Sequence, residues 1–198
     1  MINRRAFVAG AAAMSAVPAL PAAAVEVGDN GLHVQSWFLD SFLDLGDDLA
    51  EAADGGKHLA VFFEQRGCPY CREMHEVNLQ MPHVADYLQT NFSILQLDIY
   101  GSRGVTDFDG EEMEEREIAR RWRINFTPTV VFFPMDRDAV AGMNGRDAEI
   151  ARMPGYFKPA AYLAMFRYVH EGVYKDQTFQ RYLKDNPRLL ENDGASSG

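Results

Sequence analysis

The sequence predicts an α/β fold: a central mixed sheet flanked by helices, with an extra N-terminal helix and a C-terminal helical extension. Three observations predict it. Short apolar runs at 58–64, 92–100 and 126–133 have the length of buried strands, longer segments with apolar residues at three- and four-residue spacing lie between them, and Gly- or Pro-containing breaks separate the two kinds. At 198 residues and 47% apolar composition, the chain is sized for one domain with a full core.

Residues 1–24 stand apart. Arg4 and Arg5 open a charged region, an Ala- and Met-rich apolar stretch follows, and Ala22 and Ala24 fit a small-residue cleavage site. This pattern is expected to be a cleavable export signal, and its Arg pair and Phe7 resemble the twin-arginine class. A membrane anchor fits less well, because Pro18 and Pro21 interrupt a run short of the roughly 20 residues that span a bilayer. Without residues 1–24 the chain keeps 17 basic and 29 acidic residues, a net charge of −12. That balance argues against nucleic acid and anionic membrane surfaces as partners.

Residues 25–36 have the mixed, Gly-containing composition of an irregular arm or a short edge strand. From 37 to 53 the apolar residues Trp37, Phe38, Phe42, Leu43, Leu45 and Leu49 recur at helical spacing until Gly55-Gly56 stops them. A buried strand is expected over 58–64, and a helix over 72–91 broken near Pro82. Residues 92–100 read as a strand with Phe92, Ile94, Leu97 and Ile99 as main apolar positions. The glycine-rich 101–110 reads as a surface loop, and 111–122 as a helix, acidic at its start and basic at its end as the helix dipole favours. Pro128 leads into a buried strand. The turn residues of 135–145 begin a hairpin returning near 149–153, and Gly155 precedes an amphipathic helix over 159–168. A further helix over 176–184 ends before Pro187, and 191–198 reads as a disordered tail. The expected division is therefore 1–24 signal, 25–56 arm and helix, 57–171 core domain and 172–198 C-terminal helix and tail.

The two cysteines, Cys68 and Cys71, lie in Cys68-Pro69-Tyr70-Cys71, where the 58–64 strand passes into a helix. Unpaired N–H groups and the positive dipole end at a helix start favour a thiolate over a thiol, lowering a cysteine pKa from about 8.5 into the range of roughly 3.5 to 7.5. Cys68 is thus the candidate nucleophile and Cys71, one turn later, the resolving thiol of reversible dithiol–disulfide chemistry. A bridge this short constrains the unfolded chain little, so a catalytic pair is the better reading than a structural one. Arg66 and Arg72 flank the motif and are expected to tune the Cys68 thiolate weakly.

With that motif, Thr127-Pro128 before a second strand and Gly155 before the last core helix, the chain resembles the thioredoxin superfamily over 57–168. The resemblance implies a thioredoxin fold, a cis Pro128 facing the cysteines, and a docking edge of Thr127 and Pro128 that pairs with a substrate chain by strand addition. Pro69 and Tyr70 would shape access to Cys68. Residues 62–67 before the motif and 72–75 after it resemble the exported SoxW-type branch, as do the leading helix and the 101–110 insertion. Members of that branch accompany bacterial sulfur-oxidation systems as periplasmic thiol reductants. This implies a periplasmic disulfide reductase that needs no dissociable cofactor and acts as a monomer. Its partners would be a cysteine-containing protein, such as a sulfur carrier, and a membrane thiol-electron donor, with no membrane insertion once the signal is removed.

The sequence departs from ordinary thioredoxin in two places. Phe62 stands where thioredoxins bury an acid, and Gly67 where they place a tryptophan. Glu64 is then the nearest candidate proton acceptor for Cys71, against the plainer reading of a solvated strand-end glutamate. Two rival functions remain in view: an oxidase or isomerase of disulfides, and a metallochaperone using Cys68, Cys71 and His75, with His83 as a further ligand. His83 lies beyond the Pro82 break and His75 would flank the thiol pair, so no metal site is expected. The acidic run Asp107 to Glu112 lacks the ligand spacing of a calcium-binding loop.

Overall fold

The computed structural model describes residues 25–191, so the expected export signal and nearly all of the expected tail lie outside the described residues. Two short strands, β1 (Glu26–Val27) and β2 (His33–Val34), form an antiparallel arm before helix α1 (Leu45–Asp54). The core follows as β3 (His58–Glu64), α2 (Pro69–Glu73), α3 (Pro82–Asn91) and β4 (Phe92–Asp98). A hairpin, β5 (Gly104–Thr106) and β6 (Glu112–Glu114), leads into α4 (Glu115–Arg121), and then come β7 (Thr129–Phe132), the single turn α5 (Gly145–Ala148) and β8 (Ala151–Pro154). Helices α6 (Pro159–His170) and α7 (Phe179–Asp185) follow, with a 3-10 turn (Pro187–Leu190) after them.

The main sheet has the order β4-β3-β7-β8. β3 runs parallel to β4, with Phe62 opposite Gln96, and antiparallel to β7, with Phe62 opposite Val130. β3 is buried along its whole length, and its side chains alternate between two cores. Leu59, Val61 and Phe63 join Leu49, Ile118 and Trp122 on the α1/α4 face; Ala60 and Phe62 join Met74, Leu88 and Phe166 on the α3/α6 face. Helices therefore cover both faces of a mixed sheet, as the sequence predicts. Glu64 continues the parity of Ala60 and Phe62 and points to the face that carries the cysteine helix.

Three elements differ from expectation. The helix expected over 37–53 begins only at Leu45, because the Asp44 carboxylate accepts from the N–H groups of Gly46 and Asp47 and caps it there. The residues before it run along the edge of β4, where the Leu39 N–H donates to the Ile94 carbonyl, while Trp37 and Phe38 pack toward Phe62. The expected 101–110 surface loop contains β5 and buries Val105 and Asp107 beneath Trp122. The expected 111–122 helix starts at Glu115, because residues 112–114 pair with β5 and Glu114 and Glu117 form a capping box. Elsewhere the elements fall close to expectation: Pro82 opens α3 at its first turn, and Thr178 caps α7.

Candidate active site

The turn from β3 into α2 is made by Gly67, whose φ of +72° is a left-handed conformation open to glycine. It delivers Cys68 as the N-cap of α2, with Pro69 in the first turn, where the missing proline N–H costs nothing. The Cys68 sulfur accepts from the Cys71 N–H at 3.1 Å and is bonded to the Cys71 sulfur, the two Cα atoms being 5.2 Å apart. Cys68 is 5% exposed and Cys71 1%, so Cys68 lies nearer the surface of the pair.

Across from the motif, the Thr127–Pro128 peptide bond is cis, as the sequence reading expects. The Thr127 hydroxyl donates toward the Cys68 sulfur at 3.4 Å, and the Thr127 carbonyl oxygen lies 3.5 Å from it. The Gly155 N–H donates to the Pro128 carbonyl at 2.7 Å, so the start of the segment after β8 braces this loop. Tyr70 is 57% exposed and stacks against Tyr156, whose hydroxyl donates to the Asn78 side-chain oxygen. Phe126, the residue before Thr127, is exposed.

A cluster of polar side chains is buried at the end of β3. Glu64 is fully buried, not solvated as the plainer reading has it. Its Oε1 lies 2.9 Å from His75 Nε2 and accepts from Gln96 Nε2, also at 2.9 Å. His75 follows Cys71 by one helical turn, at a break where residues Met74–Asn78 widen into a π-helical turn. Its other ring nitrogen meets Gln35 Nε2 of the N-terminal arm at 3.2 Å. The Tyr162 hydroxyl is buried in the same region, and burial, with the nearby Glu64 charge, pushes its pKa well above the usual tyrosine value.

These features coincide with a match to the thioredoxin-like domain family over residues 45–170. The chain belongs to that family. No curated relative matches it. Among solved structures it is similar in fold to a thioredoxin-fold protein from Helicobacter pylori, with a TM-score of 0.54 at 21% identity over 76% of this chain and 97% of that one. A thioredoxin from Thermus thermophilus aligns at 28% identity over 64% of this chain and 83% of its own, with a TM-score of 0.48.

As a thioredoxin-like protein, the chain combines the fold with the Cys68–Cys71 pair of a thiol–disulfide oxidoreductase. The structure brings Cys68, Cys71, Thr127 and Pro128 together and leaves Tyr70 beside them. Glu64 stands apart from these, in the buried layer with His75. The flanking arginines turn elsewhere: Arg66 donates to the Asn30 carbonyl at 3.1 Å, and Arg72 lies 3.7 Å from Glu76. Their charges are thus partly committed, which weakens the expected tuning of Cys68. His75 points into the Glu64 contact rather than flanking the thiols, and His83 is exposed on the first turn of α3. Sequence reading missed Tyr156 beside Tyr70, and Gln96 and Gln35 around Glu64 and His75. None of the three carried a local signal.

Proposed function

We propose that the protein is an exported disulfide reductase in which Cys68 attacks a partner disulfide and Cys71 resolves the mixed disulfide. The observation that carries this reading is the Cys68 sulfur at the α2 N-cap, within 3.4 Å of the Thr127 hydroxyl beside cis Pro128, with Cys71 behind it. The helix start stabilises the attacking thiolate, and the Thr127–Pro128 edge holds an extended substrate segment against it. Glu64, buried at the end of β3, is the candidate to take the proton that Cys71 must lose. Tyr70, with Tyr156, gives the substrate chain an aromatic wall.

The exported location rests on the sequence pattern of residues 1–24, and the reducing direction on the resemblance to the SoxW-type branch. On that reading a sulfur-oxidation carrier protein is the disulfide-bearing partner, and a membrane thiol donor returns the pair to the dithiol.

A Cys71→Ser variant, reduced and mixed with an oxidised carrier protein, is expected to accumulate a mixed disulfide through Cys68. Failure to trap one would remove the carrier as substrate. The midpoint potential of the pair decides direction: a value near about −270 mV supports a reductant, and one near about −120 mV an oxidant.

A further inference from the structure

We propose that Tyr156, held by the buried side chain of Asn78, makes the protein select partner disulfides with an aromatic residue two positions from the attacked cysteine. The inference deepens the redox reading and rests on attack by Cys68 on a partner disulfide.

Asn78 is fully buried in the π-helical turn that follows α2. Its Nδ2 donates to the Phe157 carbonyl at 2.9 Å. A backbone carbonyl only accepts, so this contact fixes the amide with its NH2 toward Phe157 and its Oδ1 turned the other way. Oδ1 lies 3.0 Å from the Tyr156 hydroxyl, and an amide oxygen also only accepts, so the hydroxyl donates. One buried amide thus grips the backbone of Phe157 and the far end of the Tyr156 ring.

The segment around Tyr156 is held on both sides as well. Gly155, at a φ of +82°, donates its N–H to the Pro128 carbonyl at 2.7 Å. The Phe157 ring stacks on Phe179 of α7, with the centroids 6.3 Å apart. A ring fixed in this way before a ligand arrives loses little rotamer freedom on binding.

The ring that Tyr156 meets is Tyr70. The two are stacked at 19° with centroids 6.3 Å apart, and Tyr70 is 57% exposed. Tyr70 stands two positions after Cys68, Tyr156 follows the glycine bonded to Pro128, and the Thr127 hydroxyl lies 3.4 Å from the Cys68 sulfur. Cys68, Tyr70, Tyr156, Gly155 and the Thr127–Pro128 edge therefore form one closed circuit of contacts. A partner chain paired with that edge is extended, so residues two positions from its cysteine share the cysteine's face. Tyr70 is carried by the same helix start as Cys68 and meets that face. An aromatic side chain there gains a ring contact with the tyrosine pair that an aliphatic one of similar area lacks. Tyr156 is then a specificity-determining residue, and Asn78 a positioning residue that acts through it.

Recognition leaves the exchange balanced. The Cys68 thiolate bonds to one partner sulfur and expels the other, which takes a proton from solvent. Cys71 then bonds to Cys68 and expels the first partner sulfur, and the proton that Cys71 gives up balances the one this sulfur takes. Two electrons pass from the dithiol to the partner disulfide.

Oxidised glutathione, which has no aromatic residue, is the reference probe, and its mixed disulfide with Cys68 is followed by rapid quenching and mass spectrometry. The test probes are symmetric disulfides of a capped pentapeptide with a central cysteine, Gly on either side of it, and Phe or Leu at both ends. The readout is the second-order rate at which each probe oxidises the reduced protein. The Phe-to-Leu ratio is decisive, because a general loss of thiol reactivity lowers both rates alike. The unaltered protein is expected to react about five-fold faster with the Phe peptide, and Tyr156→Ala to bring the ratio down to about one. Tyr156→Phe keeps the ring and removes only its anchor, so the ratio should fall part-way, to about two, and Asn78→Ala should lower it at least as far. Equal rates with the two peptides, or a ratio that survives Tyr156→Ala, would overturn the selection. A ratio unchanged in Tyr156→Phe would overturn the part played by Asn78, and this variant decides alone if Asn78→Ala does not fold. If neither glutathione nor either peptide oxidises the reduced protein, the redox reading fails, and this inference with it.

Discussion

Replacing Glu64 with glutamine separates a proton acceptor from a structural anchor, because the two roles predict opposite signs of stability and rate. Glutamine keeps Oε1 in place to accept from His75 Nε2 and Gln96 Nε2, both at 2.9 Å, and changes only the atom that has no partner. Losing the charge weakens two charge-assisted hydrogen bonds by about 1 kcal/mol each. Against that, a fully buried carboxylate costs several kcal/mol to desolvate, and the substitution removes this cost. The new buried N–H2 group takes back part of the gain, so the oxidised protein should become more stable by about 1 to 2 kcal/mol near neutral pH. The step in which Cys71 displaces the substrate should slow on the order of a hundred-fold, the usual contribution of one general base. Urea unfolding of the oxidised protein gives the first quantity, and rapid-quench decay of the glutathione adduct gives the second. A destabilised Glu64→Gln protein that resolves its mixed disulfide at the unaltered rate would refute the acceptor role.

Three further outcomes follow from buried groups elsewhere. Asp107 accepts from Trp122 Nε1 at 3.0 Å, from the Gly145 N–H at 2.8 Å and from the Phe108 N–H at 2.9 Å, so Asp107→Ala leaves three buried donors unpaired and should cost about 3 to 4 kcal/mol in urea unfolding. A loss under about 1 kcal/mol would mean that the loop closes over the gap. Phe62, where thioredoxins bury an acid, packs against Phe38 and Phe166, and Phe62→Ala should cost about 3 to 5 kcal/mol, read from the same transition. Burial raises the Asp48 pKa from 3.8 to about 6, with Ser41 Oγ donating to both carboxylate oxygens at 2.7 Å in partial opposition. Between those values the folded state binds more protons than the unfolded state, so this group makes stability fall as pH rises through the window. Asp48→Asn should flatten that fall and raise stability near pH 7 by about 2 kcal/mol; an unchanged pH profile would remove Asp48 from the account.

Much of the fold was legible because its signals are local. The β3 and β4 runs carry the length and apolar composition of buried strands, Pro82 and Pro159 open helices at first-turn positions, and Cys68-Pro69-Tyr70-Cys71 declares itself by spacing and by its place after β3. Thr127-Pro128 is equally local, and the cis bond appears where the resemblance implies it. Apolar spacing misled at 37–44, where Trp37, Phe38 and Leu43 are buried or half-buried for reasons outside any helix. The signal that would have corrected it, Asp44 as an N-cap before acidic Asp47 and Asp48, was present in the sequence but outweighed by periodicity.

The sequence by itself determined where the thiols stand, since the motif and its place after β3 depend on residues within a few positions of one another; that Pro128 faces them came from the resemblance, and the fold brings Thr127 to Cys68 across 59 positions. The tertiary structure alone decided what surrounds Glu64. His75 lies 11 positions from it, Gln96 lies 32, and Gln35 lies 40 from His75, so no period or motif links them. They meet because β3 and β4 pair in parallel, α2 lays its buried face on that sheet, and the arm folds back across the β4 edge. A strand-end glutamate has no fixed surroundings in the sequence. Burial and its contacts with His75 and Gln96 are properties of the folded chain.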